Sequence, residues 1–172
     1  TVDAAGFAEM ILRNLRLYDW GVNLAQLNVL DSHDTARFLS IARGDIDALK
    51  LATLFQMTYP GAPSIYYGNE IGMPGAKDPD NRRAFPWDQA HWNLDLRGYF
   101  KRAVALRARF RALRDGEFKV LFAEGMTVAY ARRRDRGHDV RLQPARDRLQ
   151  RLRAPRFAHR LSRLPGHQHQ RR

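Results

Sequence analysis

A short apolar run at residues 25–30 ends abruptly in a polar cluster, and this transition constrains the fold more than any other feature of the chain. The cluster, at residues 31–35, places the imidazole of His33 beside the carboxylate of Asp34. In parallel α/β proteins the chemistry lies where strands end and the following loops begin. The pair is therefore a candidate for contact with a ligand, although capping of a strand end would produce the same local pattern.

Helical and strand-like patterns alternate along the first part of the chain. Apolar residues at helical spacing predict two helices, and the second of these follows the N-cap candidate Asp45. Two compact apolar runs predict buried strands. The predicted elements are a helix over 7–19, a strand over 25–30, a helix over 45–59 and a strand over 64–67. This order is typical of a parallel α/β layer.

The second part of the chain predicts a loop, a long helix and a hairpin. Gly, Pro, Asp and Asn are frequent over residues 68–92, which indicates a long loop of the kind that often carries function. A helix is expected from Asp95 as N-cap to Gly116, with arginines on a solvated face. Alternating apolar residues on either side of Gly125 predict a β-hairpin over 118–130.

Two long motifs and one short one carry a family resemblance. Residues 27–35 read LNVLDSHDT, residues 60–73 read PGAPSIYYGNEIGM, and an Asp-Pro-x-x-Arg pattern runs from Asp78 to Arg82. In this order they resemble the α-amylase family of glycoside hydrolases, most closely its neopullulanase, cyclomaltodextrinase and maltogenic amylase branch. The resemblance covers about residues 7–134.

The resemblance implies an α/β fold class in which the chain is the C-terminal part of a (β/α)8 TIM barrel. The last two barrel strands and their helices would be followed by the start of an all-β C-terminal domain. The expected bounds are 1–116 for the barrel portion, 117–134 for the start of a β-sandwich domain, and 135–172 for an arginine-rich tail. The chain begins at Thr1 rather than Met, which suggests an incomplete reading frame or a trimmed chain.

The same resemblance implies roles for four residues. Asp34 would be the catalytic carboxylate that stabilises the transition state, and His33, Asp78 and Arg82 would bind the sugar. A retaining glycosidase also needs a nucleophilic carboxylate and an acid/base carboxyl group about 5 Å apart. No segment matches the family's motif for either group, so we expect the isolated chain to be inactive. The expected substrates are α-glucans: maltodextrin, cyclodextrin, pullulan or starch.

Asp78 and Arg82 have a second interpretation, because they lie four residues apart in a loop. A carboxylate and a guanidinium can each make paired hydrogen bonds to sugar hydroxyls. They can equally form a salt bridge that only holds the loop. The sequence leaves both interpretations open.

The basic charge of the chain is concentrated at one end. The formal net charge is +12, but residues 131–172 alone hold 14 Arg, no Lys and three Asp. One hypothesis is a frameshifted or otherwise aberrant, disordered tail. The alternative is an arginine-rich nucleic-acid-binding protein with a small α/β body. A regulatory or scaffolding remnant of an enzyme is a third possibility.

Composition limits the other classes of function. The chain has no cysteine, which excludes disulfides and thiolate metal sites, and we predict neither a metal site nor a cofactor. It has no apolar run long enough to cross a membrane. We expect an α-glucan partner and no specific nucleic acid. The oligomeric state and the cellular location stay open, with the cytoplasm favoured.

Overall fold

The computed structural model describes residues 2–134, and the statements below concern those residues. None of their helices is both long and apolar enough to cross a membrane. The hypothesis of an aberrant tail, like the nucleic-acid-binding alternative, rests on residues 135–172 and lies outside the described part. The helices are α1 (Ala4–Leu15), α2 (Trp20–Ala25), α3 (Phe38–Ile41), α4 (Ile46–Thr58), α5 (Leu94–Arg109) and α6 (Ala112–Asp115). The strands are β1 (Leu27–Val29), β2 (Ala62–Ser64), β3 (Glu117–Glu124) and β4 (Thr127–Arg133).

Strands β1 and β2 form a parallel pair, as the alternation of elements predicts. Leu27 pairs with Ala62 and Val29 pairs with Ser64. The second strand was predicted at residues 64–67, and that position is wrong by about two residues. The β-prone side chains after Ser64 belong to the segment that leaves the ladder, because β1 ends opposite Ser64 and offers no further partner.

One face of this pair is covered by α4, and the other is open to solvent. Gln56 of α4 donates through Nε2 to the carbonyls of Asn28 and Ser64, at 2.9 and 2.8 Å. Leu27 and Val29 point the other way and are 67% and 51% exposed. The prediction of a fully buried first strand is therefore wrong for the described residues. Alternate side chains of a strand face opposite sides, and only the α4 side has a covering layer here.

Capping side chains set the ends of α1. The helix was predicted over 7–19 but begins at Ala4, because Asp3 accepts a hydrogen bond from the backbone N–H of Gly6 at 2.8 Å. It ends at Leu15, whose carbonyl accepts a hydrogen bond from the buried amide of Asn23 at 2.7 Å. The chain then turns into α2.

Helix α4 matches its prediction closely. Asp45 is its N-cap and accepts a hydrogen bond from the N–H of Ala48 at 2.9 Å. The helical spacing of its apolar residues predicts that Leu49 and Leu54 both face the interior; Leu49 is buried, but Leu54 is exposed. The buried positions at the end of this helix are instead taken by Gln56, Met57 and Thr58.

The long helix after the loop is shorter than predicted. Its N-cap is Asn93 rather than Asp95, and Asn93 accepts a hydrogen bond from the N–H of Leu96 at 2.9 Å. The helix breaks at Phe110 because Arg114 donates to the carbonyls that end α5. The prediction that its arginines form a solvated face is wrong for Arg107, whose guanidinium donates to the carbonyls of Met57 and Tyr59 at the end of α4.

A small apolar core lies between α3, α4 and α5. Its centre is built from four buried residues, Leu39, Leu49, Leu96 and Phe100. The β3–β4 hairpin, predicted around Gly125, is present and antiparallel. It packs against α1 and α6, and the hydroxyl groups of Tyr130 and Thr58 lie 2.5 Å apart. Within the described residues, the hairpin is thus joined directly to the α/β part.

Candidate active site

The four predicted site residues come from two loops that follow the two parallel strands. His33 and Asp34 lie in the loop after β1. Asp78 and Arg82 lie in the long loop after β2, with Arg82 in a short 3₁₀ turn at Asp80–Arg82. The carboxyl ends of adjacent parallel strands lie at the same edge of a sheet, so the two loops come together.

Direct contacts link all four side chains in a row. Nε2 of His33 lies 3.3 Å from Oδ1 of Asp34. Nη2 of Arg82 lies 3.7 Å from the same oxygen, and Nε of Arg82 lies 2.7 Å from Oδ1 of Asp78. The structure therefore brings together every residue that the motifs singled out.

This row of side chains is open to solvent. The side chain of Asp34 is 71% exposed and that of Arg82 is 47% exposed. Ion pairs at such exposure contribute little to stability, typically about 0–1 kcal/mol. The surface nonetheless presents carboxylate acceptors beside guanidinium and imidazole donors, which is the complement that sugar hydroxyl groups require.

The close pair of Asp78 and Arg82 fits both interpretations of the short motif. Its 2.7 Å contact is the salt bridge expected of residues that hold the loop. Arg82 also lies beside Asp34 of the other loop, and a purely local loop brace would not require that contact. Asp78 is joined to Pro79 by a cis peptide bond.

A buried polar network beneath the site fixes the first loop. Asp31 is buried and accepts hydrogen bonds from the N–H of Phe38 at 2.6 Å and from the amide of Asn69 at 2.5 Å. A buried carboxylate is tolerated when its oxygens are hydrogen-bonded. Asp31 thereby anchors the start of the His33–Asp34 loop to the end of that loop and to the segment after β2.

Arg37 joins the same network from the other end of the loop. It is fully buried and donates to the carbonyl of Tyr67 at 2.6 Å and to the side-chain oxygen of Asn69 at 3.3 Å. Its guanidinium lies 4.5 Å from the ring centroid of Tyr66 and 4.8 Å from that of Tyr67. Such cation–π contacts help to offset the cost of burying the charge.

Two ionisable groups next to the site have shifted pKa values. Burial raises the pKa of Tyr66 above its usual value, the hydrogen bond to Tyr67 raises it further, and the charges of Arg37 and Arg82 oppose the rise. The N–H of Ala76 and the side chain of Arg83 lower the pKa of Asp80. The turn that carries Arg82 is therefore held by an ionised carboxylate at neutral pH.

A cavity of about 270 Å³ lies farther along the same loop. It is lined by residues 71–74 and by Arg83, Ala84, Pro86 and His91. None of the four predicted site residues lines it, so the chemistry of the motifs does not lie in this cavity.

Sequence reasoning missed the buried polar residues that hold the site. Asp31, Arg37, Asn69 and Asn81 carry this network, and none was assigned a role. A signal was present for Asp31, because a charged residue stands directly at the end of an apolar strand. For the two asparagines no local pattern exists, since their partners come from distant parts of the chain.

Comparison with known proteins agrees with the motifs. Residues 7–116 match the family described as alpha amylase, catalytic domain. The cyclomaltodextrinase of Geobacillus thermopakistaniensis is 43% identical over 123 residues, which are 72% of this chain and 21% of that relative. Neopullulanase 2 of Thermoactinomyces vulgaris is 41% identical over 130 residues, which are 76% of this chain and 22% of that relative.

Solved structures agree as well. The native form of the debranching enzyme from Nostoc punctiforme is 46% identical, with a TM-score of 0.75, over 78% of this chain and 27% of that one. The chain thus spans between a fifth and about a quarter of the length of these relatives. The family match gives no support to the nucleic-acid-binding alternative. Motifs, geometry and similarity together show that this chain belongs to the α-amylase family of glycoside hydrolases.

Proposed function

We propose that the described residues carry part of the substrate pocket of a retaining glycoside hydrolase that cleaves α-glucosidic bonds. The substrate class is an α-glucan, namely maltodextrin, cyclodextrin, pullulan or starch. Asp34 is the catalytic carboxylate in this proposal, and His33, Asp78 and Arg82 bind the sugar. Similarity to a cyclomaltodextrinase and to a neopullulanase supports this substrate class.

The observation that carries the proposal is the contact between the two loops. A carboxylate, Asp34, lies between an imidazole and a guanidinium at the carboxyl ends of two parallel strands. Cleavage of a glycosidic bond passes through an oxocarbenium-like transition state with developing positive charge. A fixed carboxylate beside that charge stabilises it, and the effect grows when substrate and protein exclude water.

The fold supports a finer assignment. In this proposal β1 and β2 are the last two strands of a (β/α)8 barrel, and the β3–β4 hairpin begins an all-β domain. Residues 1–116 then belong to the barrel and residues 117–134 to the second domain. The exposed face of Leu27 and Val29 suits the interior of a barrel, because inward-facing strand residues pack there in layers.

The isolated chain is inactive in this proposal. Retaining cleavage needs a nucleophile and an acid/base besides the stabilising carboxylate, the first two about 5 Å apart. No segment of the sequence matches the family's motif for the nucleophile or for the acid/base. Of the three carboxyl groups that the reaction uses, the chain supplies only Asp34 in this proposal.

A grafted enzyme tests the function. Residues 7–134 of this chain would replace the matching segment of the cyclomaltodextrinase of Geobacillus thermopakistaniensis, and release of sugar from cyclodextrin would be measured. We expect the graft to be active and Asp34→Asn to lower its kcat by about 10²–10³-fold. Asp47→Asn, on the exposed surface of α4, is the matched control and should leave kcat unchanged.

Three results would contradict the proposal. A folded graft without activity would show that this segment does not serve a glycosidase, and near-normal kcat in Asp34→Asn would refute the role of Asp34. The full chain by itself should release no sugar from cyclodextrin, pullulan or starch. Turnover by the full chain that survives Asp34→Asn would overturn the mechanism.

A further inference from the structure

The side chain of Asn81 bridges the two loops of the candidate site. It is 0% exposed, although its neighbours in the loop are largely open to solvent. Its Nδ2 lies 2.8 Å from the carbonyl of Thr35, 2.9 Å from that of His33 and 3.3 Å from that of Ser32. Asn81 therefore contacts the backbone on both sides of Asp34.

The chemistry of these contacts requires an amide donor. All three partners are carbonyl oxygens, so only the NH₂ group of the side chain can face them, and the opposite orientation would set oxygen against oxygen. An NH₂ group has two hydrogens. The bonds to His33 and Thr35 are therefore the principal ones, and the longer contact to Ser32 is shared.

The backbone of Asn81 is itself held by a hydrogen bond from a buried side chain. Its backbone carbonyl accepts a hydrogen bond from Nε of Arg37 at 3.1 Å, and both residues are fully buried. Arg37 follows the His33–Asp34 loop in sequence, while Asn81 precedes Arg82. The two loops are thus tied by a side-chain contact in each direction.

We infer that Asn81 is a positioning residue that fixes Asp34 opposite Arg82. This inference rests on the proposed function, because positioning matters only if Asp34 acts on a substrate. Asp34 is exposed, and among residues 2–134 its side-chain partners, His33 and Arg82, are exposed as well, so its location depends on the backbone that carries it. A displacement of about 1 Å at a reacting group can cost about 10²-fold in rate.

Hydrogen exchange of the full chain tests the positioning directly, without any need for activity. Asn81→Asp keeps the shape of the side chain but replaces the donor with an acceptor. We expect the backbone amides of residues 32–35 to exchange at least about tenfold faster, because this loop opens more often once its carbonyls lose their bonds from Nδ2. Unchanged exchange in this loop would overturn the inference.

Asn93→Asp is the matched control for this experiment. Asn93 uses its side-chain oxygen as an acceptor at the start of α5, and an aspartate keeps that oxygen. The same chemical change should therefore leave exchange in residues 32–35 unaltered. Faster exchange in both variants would attribute the effect to general destabilisation and contradict the inference.

A double-mutant cycle in the grafted enzyme separates positioning from a merely structural role. Asn81→Asp should lower kcat about 10–100-fold with a smaller change in KM. Combined with Asp34→Asn it should cause no further loss of kcat, because it acts through Asp34. Additive losses would overturn the inference, whereas near-normal kcat in Asp34→Asn alone would refute the proposed function instead.

Asn81→Ser covers the case in which the aspartate variant does not fold. Serine is smaller and uncharged, and its hydroxyl supplies one donor in place of two. It should give an intermediate increase in loop exchange and an intermediate loss of kcat, again without effect in the Asp34→Asn background. Wild-type kcat and exchange in Asn81→Ser would refute the positioning role.

Discussion

Nη2 of Arg82 lies 3.7 Å from Oδ1 of Asp34, although the two residues belong to different loops. This separation is longer than the 2.7 Å contact of Arg82 with Asp78, so the guanidinium is held by one carboxylate and directed towards the other. Oδ1 of Asp34 faces both this guanidinium and, at 3.3 Å, Nε2 of His33. The nearby positive charge of Arg82 limits repulsion between the two aspartates.

The position of Arg82 between two carboxylates predicts that Arg82→Gln lowers the activity of the grafted enzyme. The substitution leaves Asp34 and Asp78 as neighbouring carboxylates without their shared cation and removes a donor to the sugar. We expect kcat/KM for cyclodextrin to fall about 10²-fold. Steady-state kinetics would measure this fall in kcat/KM.

Arg83→Gln is the control. It removes the guanidinium of the adjacent residue, which pairs with Asp80, and should change kcat/KM far less. Equal losses in both variants would contradict the special position of Arg82.

The motifs singled out four side chains, and the fold explains why these lie together. His33 and Asp34 directly follow one predicted strand, and Asp78 and Arg82 follow the next. The rule that parallel strands carry chemistry at their carboxyl ends turns this order into proximity. Four exposed side chains were therefore predictable from local sequence and family resemblance.

The supporting residues were not predictable in the same way. Asn81 and Arg37 act through contacts with segments that are distant in sequence. Hydrophobic periodicity carries information about neighbouring positions on one element and none about such pairs. The prediction that β1 is buried was wrong for a related reason. The apolar run at Leu27 and Val29 predicts a buried strand, but burial depends on a covering layer that the run itself does not specify.

Gly61 is a position where backbone conformation decides stability. Its φ is +108°, and an added Cβ would lie 2.6 Å from the side chain of Asn28 and 2.7 Å from the carbonyl of Gln26. We expect Gly61→Ala to lower the free energy of unfolding by about 2–4 kcal/mol, from the strained φ and the clash together. Urea unfolding of the full chain would measure this.

The control for that prediction is Gly21→Ala in α2. An added Cβ there meets nothing within 4 Å, and alanine favours a helix over glycine by about 0.5–1 kcal/mol. This variant should be as stable as the parent or more so. Similar destabilisation by both substitutions would show that the local surroundings of Gly61 are not the cause.

The lowered pKa of Asp80 predicts that the protein loses stability at acidic pH. The N–H of Ala76, at 2.6 Å, and the side chain of Arg83 lower the pKa of Asp80 below its unfolded value of 3.8. A carboxyl group whose pKa is lower in the folded state stabilises the protein above its unfolded pKa. That contribution is lost as the pH falls through the folded value.

The test compares the Tm of the full chain with that of Asp80→Asn between pH 7 and pH 3. The Tm difference should be largest near pH 7 and should shrink as the pH falls below the unfolded pKa of 3.8, because the unfolded chain then binds a proton before the folded aspartate does. Asp19→Asn is the control, because Asp19 makes no side-chain cap bond at the start of α2. A difference for Asp80→Asn that stays constant with pH would rule out this ionic role.

Arg132 joins the hairpin to the α/β part of the structure. Its guanidinium donates to the carbonyls of Thr58 at 2.7 Å, Leu113 at 3.0 Å and Gly116 at 2.6 Å. Burial, followed by the charge of Arg107, lowers its pKa to about 10. Hydrogen bonds from Arg132 to three carbonyls, of which that of Leu113 also accepts a bond from Arg107, favour the folded state. The proximity of two cations opposes it.

The bonds should outweigh the repulsion, because an unpaired buried carbonyl costs about 1–3 kcal/mol and the carbonyls of Thr58 and Gly116 both accept from Arg132. We expect Arg132→Leu to lower the free energy of unfolding by about 2–3 kcal/mol in urea titrations of the full chain. Arg102→Leu, on the exposed surface of α5, should change it by no more than about 0.5 kcal/mol. Unchanged or higher stability in Arg132→Leu would mean that relief of repulsion from Arg107 dominates and that the hairpin is held by its other contacts, such as that of Tyr130 with Thr58.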